Sequence, residues 1–172
     1  ASDFDIEKII SVLPQVKNAP GRLEYIGKTK KGALVYVDFA YKGDALENTL
    51  KNLRSMLDKD KKIINVFGTC GDTCEWKTRR FELGNVSYNF ADISILTDDS
   101  PRTEDPKKIR REIMQYCPNA IEISTGRKDA IKKAMELGGE GDIILVAGKG
   151  HEDYFTLGTE NIPYTDQGTI ID

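Results

Sequence analysis

The stretch Asp142-Ile-Ile-Leu-Val-Ala-Gly-Lys-Gly150 decides the fold. Five apolar residues in a row, with no polar alternation and a glycine to stop them, suit a strand covered on both faces. Such strands belong to parallel sheets with helices above and below. The same pattern recurs upstream. Lys62 to Phe67 is a short apolar run that ends at Gly68, and Ile93 to Thr97 and Ala120 to Ser124 read as two more strands. Between the strands the apolar period lengthens to that of a helix. Ala45, Leu46, Leu50, Leu53 and Leu57 share one helical face, with Asp44 as the expected N-cap. Phe81 to Phe90, Lys107 to Tyr116 (begun near Asp105-Pro106) and Arg127 to Leu137 are three further predicted helices. Strand and helix alternate at spacings that fit right-handed crossovers. The expected fold class is therefore α/β, a Rossmann-like, mostly parallel sheet flanked by helices.

The ends of the chain are less regular. Leu23 to Ile26 and Ala33 to Phe39, joined by a turn at Lys30 to Gly32, predict an N-terminal hairpin that leads into a buried strand. Asp5 to Val16 places Ile6, Ile9, Ile10 and Leu13 at helical spacing, and Pro14 is its expected stop. Leu157 to Asp172 has turn formers and weak periodicity, which leaves a terminal hairpin or a loosely attached tail as alternatives.

The chain has 172 residues, one domain's worth, with 39% apolar and 31% charged residues, a composition that folds. A net charge of −3 argues against the nucleic-acid backbone as principal partner, because phosphate neutralisation needs concentrated positive charge. Cys70, Cys74 and Cys117 are an odd number in a chain able to build its own core, so a reducing, cytoplasmic setting is expected. No apolar run approaches the ~20 residues of a membrane-spanning helix, and no membrane partner is expected.

In parallel sheets, ligands sit beyond the carboxyl ends of the strands. Polar and glycine-rich turns fall at four of those ends: Asp38-Phe-Ala-Tyr41, Gly68-Thr-Cys-Gly-Asp72, Thr97-Asp-Asp-Ser-Pro-Arg102 and Gly148-Lys-Gly-His-Glu152. In the last, two glycines let backbone amides approach a ligand and Lys149 supplies a mobile cation. The plain alternative is a tight strand-to-helix turn with surface charges. Asp98, Asp99 and Arg102 lie on a proline-stiffened loop that can hold the ammonium and the carboxylate of one zwitterion, or can simply cap the next helix through salt bridges. His151 is the only histidine, which leaves a Ser-His-Asp triad or a histidine-rich zinc site little to work with, and it reads as a packed turn residue. Gly71 to Thr78 nearly matches a phosphate-binding loop, but Trp76 stands where glycine must precede Lys77-Thr78. Cys70 and Cys74 lack a second Cys/His pair at zinc spacing, so no metal site is expected.

Taken in order, these segments resemble the C-terminal domain of the Mur ligases, specifically the MurE type that adds 2,6-diaminopimelate. Ala19-Pro-Gly-Arg-Leu-Glu24 is similar to the family's interdomain hinge. Val37-Asp-Phe-Ala-Tyr-Lys-Gly-Asp-Ala-Leu-Glu-Asn48 resembles its Asp-Tyr-Ala-His-Thr-Pro-Asp-Ala-Leu-Glu-Asn segment, and Lys77-Thr-Arg-Arg80 with Gly84 its Lys-Arg-Pro segment. Thr97 to Pro106 resembles its Asp-Asn-Pro-Arg recognition loop, and Ala147-Gly-Lys-Gly-His-Glu-Asp-Tyr154 matches unchanged. The likeness runs from about Pro20 to Asp166.

The resemblance implies that residues 19–172 are the C-terminal domain and residues 1–18 the tail of a central ATPase domain. Arg22 is expected at ATP phosphates and Asp38 at the ribose. Arg80, Asp99, Ser100, Arg102, Gly148 and Glu152 are expected to form the diamino-acid pocket, with Lys149 and His151 supporting the loop. It implies ATP and Mg²⁺ as cofactors, the Mg²⁺ held mainly by the central domain. The implied partners are a diamino acid, expected to be meso-diaminopimelate, and a UDP-MurNAc-L-Ala-D-Glu acceptor activated as an acyl phosphate. The implied function is one part of an ATP-dependent, amide-bond-forming ligase of peptidoglycan synthesis, inactive alone.

Three departures stand out. Tyr41-Lys42-Gly43 replaces His-Thr-Pro, Thr73 to Trp76 loses an Arg-Asp pair, and Ser100 replaces asparagine. They leave two alternatives: a degenerate, non-catalytic homologue serving binding or assembly, and a cyanophycin- or folylpolyglutamate-type synthetase domain.

Overall fold

The structure is a computed structural model that describes residues 5–12, 19–72 and 76–171. Its centre is a six-stranded sheet. In spatial order the strands are β1 (Glu24–Lys28), β2 (Leu34–Asp38), β6 (Ile143–Ala147), β3 (Ile63–Phe67), β4 (Ile93–Leu96) and β5 (Ile121–Glu122). Only β1 runs antiparallel, pairing with β2 as the predicted hairpin, and the other neighbours are parallel. The helices between them are α2 (Gly43–Ser55), α3 (Trp76–Phe90), α4 (Pro106–Met114) and α5 (Arg127–Leu137). A short α1 (Ile6–Val12) precedes the sheet, and β7 (Tyr154–Leu157), β8 (Glu160–Pro163) and α6 (Asp166–Ile171) follow it.

Every residue of β3 and β6 is buried, and the twofold period sorts them to the two sheet faces. Ile63, Phe67, Ile143, Leu145 and Ala147 face Leu46, Leu50 and Leu53 of α2, Leu83 and Val86 of α3, and Ile109 and Ile113 of α4. Ile64, Val66, Ile144 and Val146 face Ala130, Ile131 and Ala134 of α5. Each large side chain buried this way contributes ~1.5–3 kcal/mol, so two cores on one sheet supply most of the driving force. Asn65 interrupts the apolar run. Its carboxamide donates to Ser87 Oγ at 2.9 Å, and Ser87 pairs with Ser94 Oγ at 2.8 Å, which pins α3 over β3 and β4.

The predicted borders shift for local reasons. Asp44 lies inside the first turn of α2, its Oδ1 accepting from the Ala45 amide at 2.8 Å, while Lys42 is the N-cap residue. The Gly43 amide is satisfied from a neighbouring helix by Glu82 Oε2 at 3.3 Å. Asp105 caps α4 as expected, accepting from Lys107 N at 2.9 Å with Pro106 next to it. Helix α3 starts five residues before Phe81, across polar residues with no apolar period to read. The strand predicted over Ala120 to Ser124 shortens to two exposed residues at the sheet edge. The proposed helix stop at Pro14, the 18/19 division and the Thr73 to Glu75 loop with Cys74 lie outside the described residues.

Residues 157–171 are not a loose tail. After the β7–β8 hairpin, α6 returns to the sheet and inserts Asp166 against Arg127 at the start of α5. Arg127 Nε and Nη2 each donate to one Asp166 oxygen at 2.8 Å, and Nη2 also donates to the Ala147 carbonyl at 2.9 Å. Tyr164 Oη completes the cluster at 3.1 Å from Asp166 Oδ1. Both charged side chains are sealed from solvent, at 1% and 0% exposure. Removing one partner leaves the other charge buried and uncompensated, at a cost of ~3–5 kcal/mol. Arg127→Ala is expected to lower unfolding stability by about that amount in urea titrations, whereas replacing both residues by apolar side chains of similar size recovers most of it.

Candidate functional site

The carboxyl ends of β2, β3, β4 and β6 meet at one edge of the sheet, and the loop after β4 is the most constrained part of that edge. Ser100 and Arg102 hold positive φ values of 41° and 54°, a backbone region that costs non-glycine residues ~1–2 kcal/mol each. Contacts on both sides hold the loop in place. The Arg102 amide donates to Thr156 O at 3.2 Å, and Gly158 N returns a bond to Arg102 O at 2.8 Å. The Thr156 amide donates to Ser100 Oγ at 3.2 Å, and Gly71 N donates to Ser100 O at 3.2 Å. The loop is thus an added strand-like partner of β7 on one side and is bonded to the β3 turn on the other. Asp72, also at positive φ, accepts from the Thr103 amide and hydroxyl at 2.7 and 2.6 Å, and these bonds hold its carboxyl below the usual carboxylate range.

Lys149 is fully buried. Its ammonium sits 2.9 Å from Glu152 Oε2, 3.4 Å from Ser100 Oγ and 3.5 Å from Asp99 Oδ1, and lies 5.7 Å from the ring centroids of both Tyr154 and Phe155. The mobile cation expected from the sequence is instead the fixed centre of the loops, and the turn leads to a hairpin, not a helix. Two carboxylates share this one ammonium, so the cluster keeps a net negative charge that suits an incoming ammonium group.

A cavity of about 140 Å³ opens beside this cluster. Ordinary small-molecule pockets run to ~300–1,000 Å³, so this one accommodates one end of a ligand. Gly68, Thr69, Cys70, Asp99, Gly148 and Glu152 line it, with Arg79, Arg102, Phe39 and Tyr41 completing the wall. Gly148 has φ 116°, and a Cβ there would lie 2.7 Å from Asp99 Oδ2, so only glycine permits this approach. Thr69 Oγ1 is buried without a hydrogen-bond partner, and Asp99 Oδ1 has only the 3.5 Å ion pair with Lys149, which leaves polar capacity at the cavity. Burial, reinforced by Asp99 and Glu152, pushes the Cys70 thiol up to about 12.

Of the residues expected in the diamino-acid pocket, Asp99, Arg102, Gly148 and Glu152 converge on the cavity wall. Ser100 lies behind it as a support, bonded to the β7 backbone. Arg80 is absent from the wall. Its guanidinium is 1% exposed and binds Glu104 at 3.1 and 2.7 Å and Glu112 at 2.6 Å, tying α3 to the loop after β4 and to α4. Its hydrogen bond holds the Glu104 carboxyl below the ordinary range. The neighbouring Arg79 occupies the wall instead, its guanidinium 5.2 Å from the Tyr41 ring centroid. Asp98 turns away and pairs with Arg110, although burial still raises its carboxyl.

Beside the cavity, the Phe39 ring packs in tilted contact with His151 and Tyr41, at centroid distances of 4.8 and 4.7 Å, and the exposed Arg22 lies over Phe39 at 4.8 Å. Asp38 points inward. Its oxygens accept from Leu23 N at 3.1 Å and Thr49 Oγ1 at 2.6 Å, tying the turn before β1 to α2.

The family model described as Mur ligase, glutamate ligase domain, matches residues 21–150. The chain belongs to this family. It is 43% identical over 165 residues to the UDP-N-acetylmuramoyl-L-alanyl-D-glutamate--2,6-diaminopimelate ligase of Mesorhizobium japonicum, covering 96% of this chain and 33% of that protein. Against the ligase of the same name from Clostridium botulinum the identity is 40% over 168 residues, with coverages of 96% and 34%. A solved structure of a ligase of this name superposes with a TM-score of 0.79 at 31% identity, covering 98% of this chain and 34% of that one. The E. coli FolC complex with ADP has a TM-score of 0.56 at 19% identity, over 76% of this chain and 28% of that one, and shares the fold. The chain spans about a third of the length of the curated relatives it matches.

Within this Mur ligase domain, the sequence reading missed Thr69, Cys70 and Arg79. The first two follow Gly68 directly in a turn already marked as a strand end. Arg79 and Arg80 differ by ~100° around a helix, and that phase is unreadable when the helix start is not predicted. The raised Cys70 thiol gives a direct test. In a Cys74→Ser chain, iodoacetamide at pH 8 is expected to label Cys70 at least ~100-fold more slowly than an unperturbed thiol, and Glu152→Gln is expected to speed the reaction. A rate equal to that of a small-peptide thiol would show that Cys70 is not buried beside the carboxylates as described.

Proposed function

We propose that this domain holds the incoming diamino acid, meso-diaminopimelate, for an ATP-dependent ligase that joins it to UDP-MurNAc-L-Ala-D-Glu in peptidoglycan synthesis. The observation that carries the reading is the convergence of Asp99, Arg102, Gly148 and Glu152, drawn from the ends of two strands, on one small cavity. The relatives named above supply the substrate class.

The chemistry fits a zwitterionic head group. Asp99 and Glu152 accept from an ammonium, and their charge exceeds what Lys149 neutralises. Arg102, exposed at the mouth, offers a planar fork to the accompanying carboxylate. A cavity of this size holds one end of the diamino acid and leaves the distal amine outside, toward the acceptor. That placement turns an encounter between two solutes into a reaction between held groups.

Arg22 is proposed to face ATP, whereas the burial of Asp38 does not suit the ribose contact expected of it. The exposed guanidinium of Arg22, backed by Phe39, is placed to meet phosphate oxygens, and the inward-turned Asp38 holds the turn that carries it through Leu23 N and Thr49 Oγ1. ATP supplies the activation that makes the acceptor carboxyl electrophilic, and Mg²⁺ is proposed to be held by the preceding domain. Arg80 acts through Glu104 and Glu112 as a brace of the recognition loop.

In the full-length ligase, Arg102→Lys should raise the KM for meso-diaminopimelate ~10–100-fold while leaving the KM for ATP nearly unchanged, because an ammonium cannot reproduce the two-point bond. An unchanged amino-acid KM would remove Arg102 from the pocket and favour a ligase with another amino acid. Gly148→Ala should abolish diaminopimelate binding in calorimetric titration.

A further inference from the structure

Helix α6 reaches the site through one side chain. Gln167 Nε2 donates to the Gly150 carbonyl at 3.0 Å and to Glu24 Oε2 at 3.1 Å. The same Glu24 oxygen accepts the Gly21 amide at 2.8 Å. A carboxamide nitrogen carries two N–H groups, and here each serves a different turn. One turn, Pro20 to Leu23, bears Arg22. The other, Gly148 to Glu152, bears two residues of the cavity wall.

The two turns are also in backbone contact. A Cβ on Gly21 would lie 2.1 Å from His151 N, and one on Gly150 would lie 2.7 Å from Gly21 O. Both glycines have positive φ, 66° and 55°. The Phe39 amide donates to Gly21 O at 2.8 Å and fixes the far side of the contact. Neither turn can shift without displacing the other. Gln167 is presented to them from a rigid base, since its neighbour Asp166 is locked by Arg127.

We propose that Gln167 is a positioning residue that sets the Arg22 turn and the Gly148–Glu152 loop in register, so that filling the amino-acid cavity and engaging the nucleotide are coupled. The assignment of the two turns to nucleotide and amino acid rests on the function proposed above. The coupling itself rests on the bonds and the backbone contact. It is reciprocal: the factor by which bound nucleotide tightens the diamino acid is the factor by which bound diamino acid tightens the nucleotide.

The test uses the full-length ligase. Gln167→Ala removes both bonds without adding a charge, and is expected to raise the KM for the diamino acid and for ATP together, about 3–10-fold each, with a smaller change in kcat. Gln167→Glu places a carboxylate against Glu24 and the Gly150 carbonyl. Relative to the unsubstituted enzyme it should be worse than alanine at pH 8 and improve as pH falls towards about 5, where a protonated carboxyl can donate again. The exchanged pair, Glu24→Gln with Gln167→Glu, restores a donor and an acceptor between these two positions but leaves the Gly150 carbonyl without its bond. It should recover the ATP KM and leave the diamino-acid KM raised. A Gln167→Ala enzyme altered in one KM only, or in neither, would overturn the proposal.

If the unsubstituted enzyme does not ligate diaminopimelate, the proposed function fails and the coupling is still read in the 172-residue chain by amide exchange. Gln167→Ala should then speed exchange at Gly21, Phe39 and Glu152 together and leave Gly141, at the opposite sheet edge, unchanged. Unaltered exchange at Gly21 or Glu152 would sink the coupling.

Discussion

The arrangement of the site depends on one buried cation. An ammonium taken out of water is tolerated only where opposite charge and hydrogen bonds surround it, and Lys149 gathers Asp99, Ser100 and Glu152 for that purpose. Those partners come from the ends of β4 and β6, so satisfying the lysine fixes the spacing between the two loops that form the cavity. The glycines on either side follow from the same demand. Gly148 lets Asp99 close in, and Gly150 lets the chain turn against Gly21. A lysine meant to meet ligand directly would remain at the surface. This one shapes the field into which the ligand arrives.

Around that centre, strain and brace are paired. Ser100 and Arg102 occupy unfavourable backbone angles, and β7 and the 68–72 turn hold them there through backbone bonds. The β7–β8 hairpin therefore has a role in the site although it lies outside the main sheet. Arg80 adds a third support by gripping Glu104 on the loop after β4 and Glu112 on α4. A preorganised loop loses little further entropy when ligand binds, which is the advantage of spending folding energy on it beforehand.

What the sequence revealed and what it hid divide along physical lines. Burial on both faces made β3 and β6 plain as unbroken apolar runs, and α5 was read to the residue because its apolar face and its flanking loops agree. The strand-end rule marked the four loops, and the resemblance to the family picked Asp99, Arg102, Gly148 and Glu152 out of them. Side-chain direction was not legible. Lys149 and Arg80 look like surface cations in sequence, and only the placement of Asp99, Glu104, Glu112 and Glu152 around them shows that they are interior. The α6 segment was hidden for a similar reason: its attachment is an ion pair between Arg127 and Asp166, 39 positions apart, with no periodic signature.

The same division bears on why Arg79 and not Arg80 lines the cavity. A helix gives its successive residues different directions, so in a pair of arginines only one can face a given ligand. The other is available for architecture. Here the inward position finds two glutamates, and Arg80 meets Glu104 with two parallel bonds and Glu112 with a third. Arg79 is left beside Tyr41, at the boundary between the small cavity and the aromatic face that carries Arg22. Cations on both sides of Phe39 and Tyr41 give this edge a positive rim around a negative cavity. A ligand whose ammonium seeks the interior and whose carboxylate seeks the rim is oriented by that field before any close contact forms.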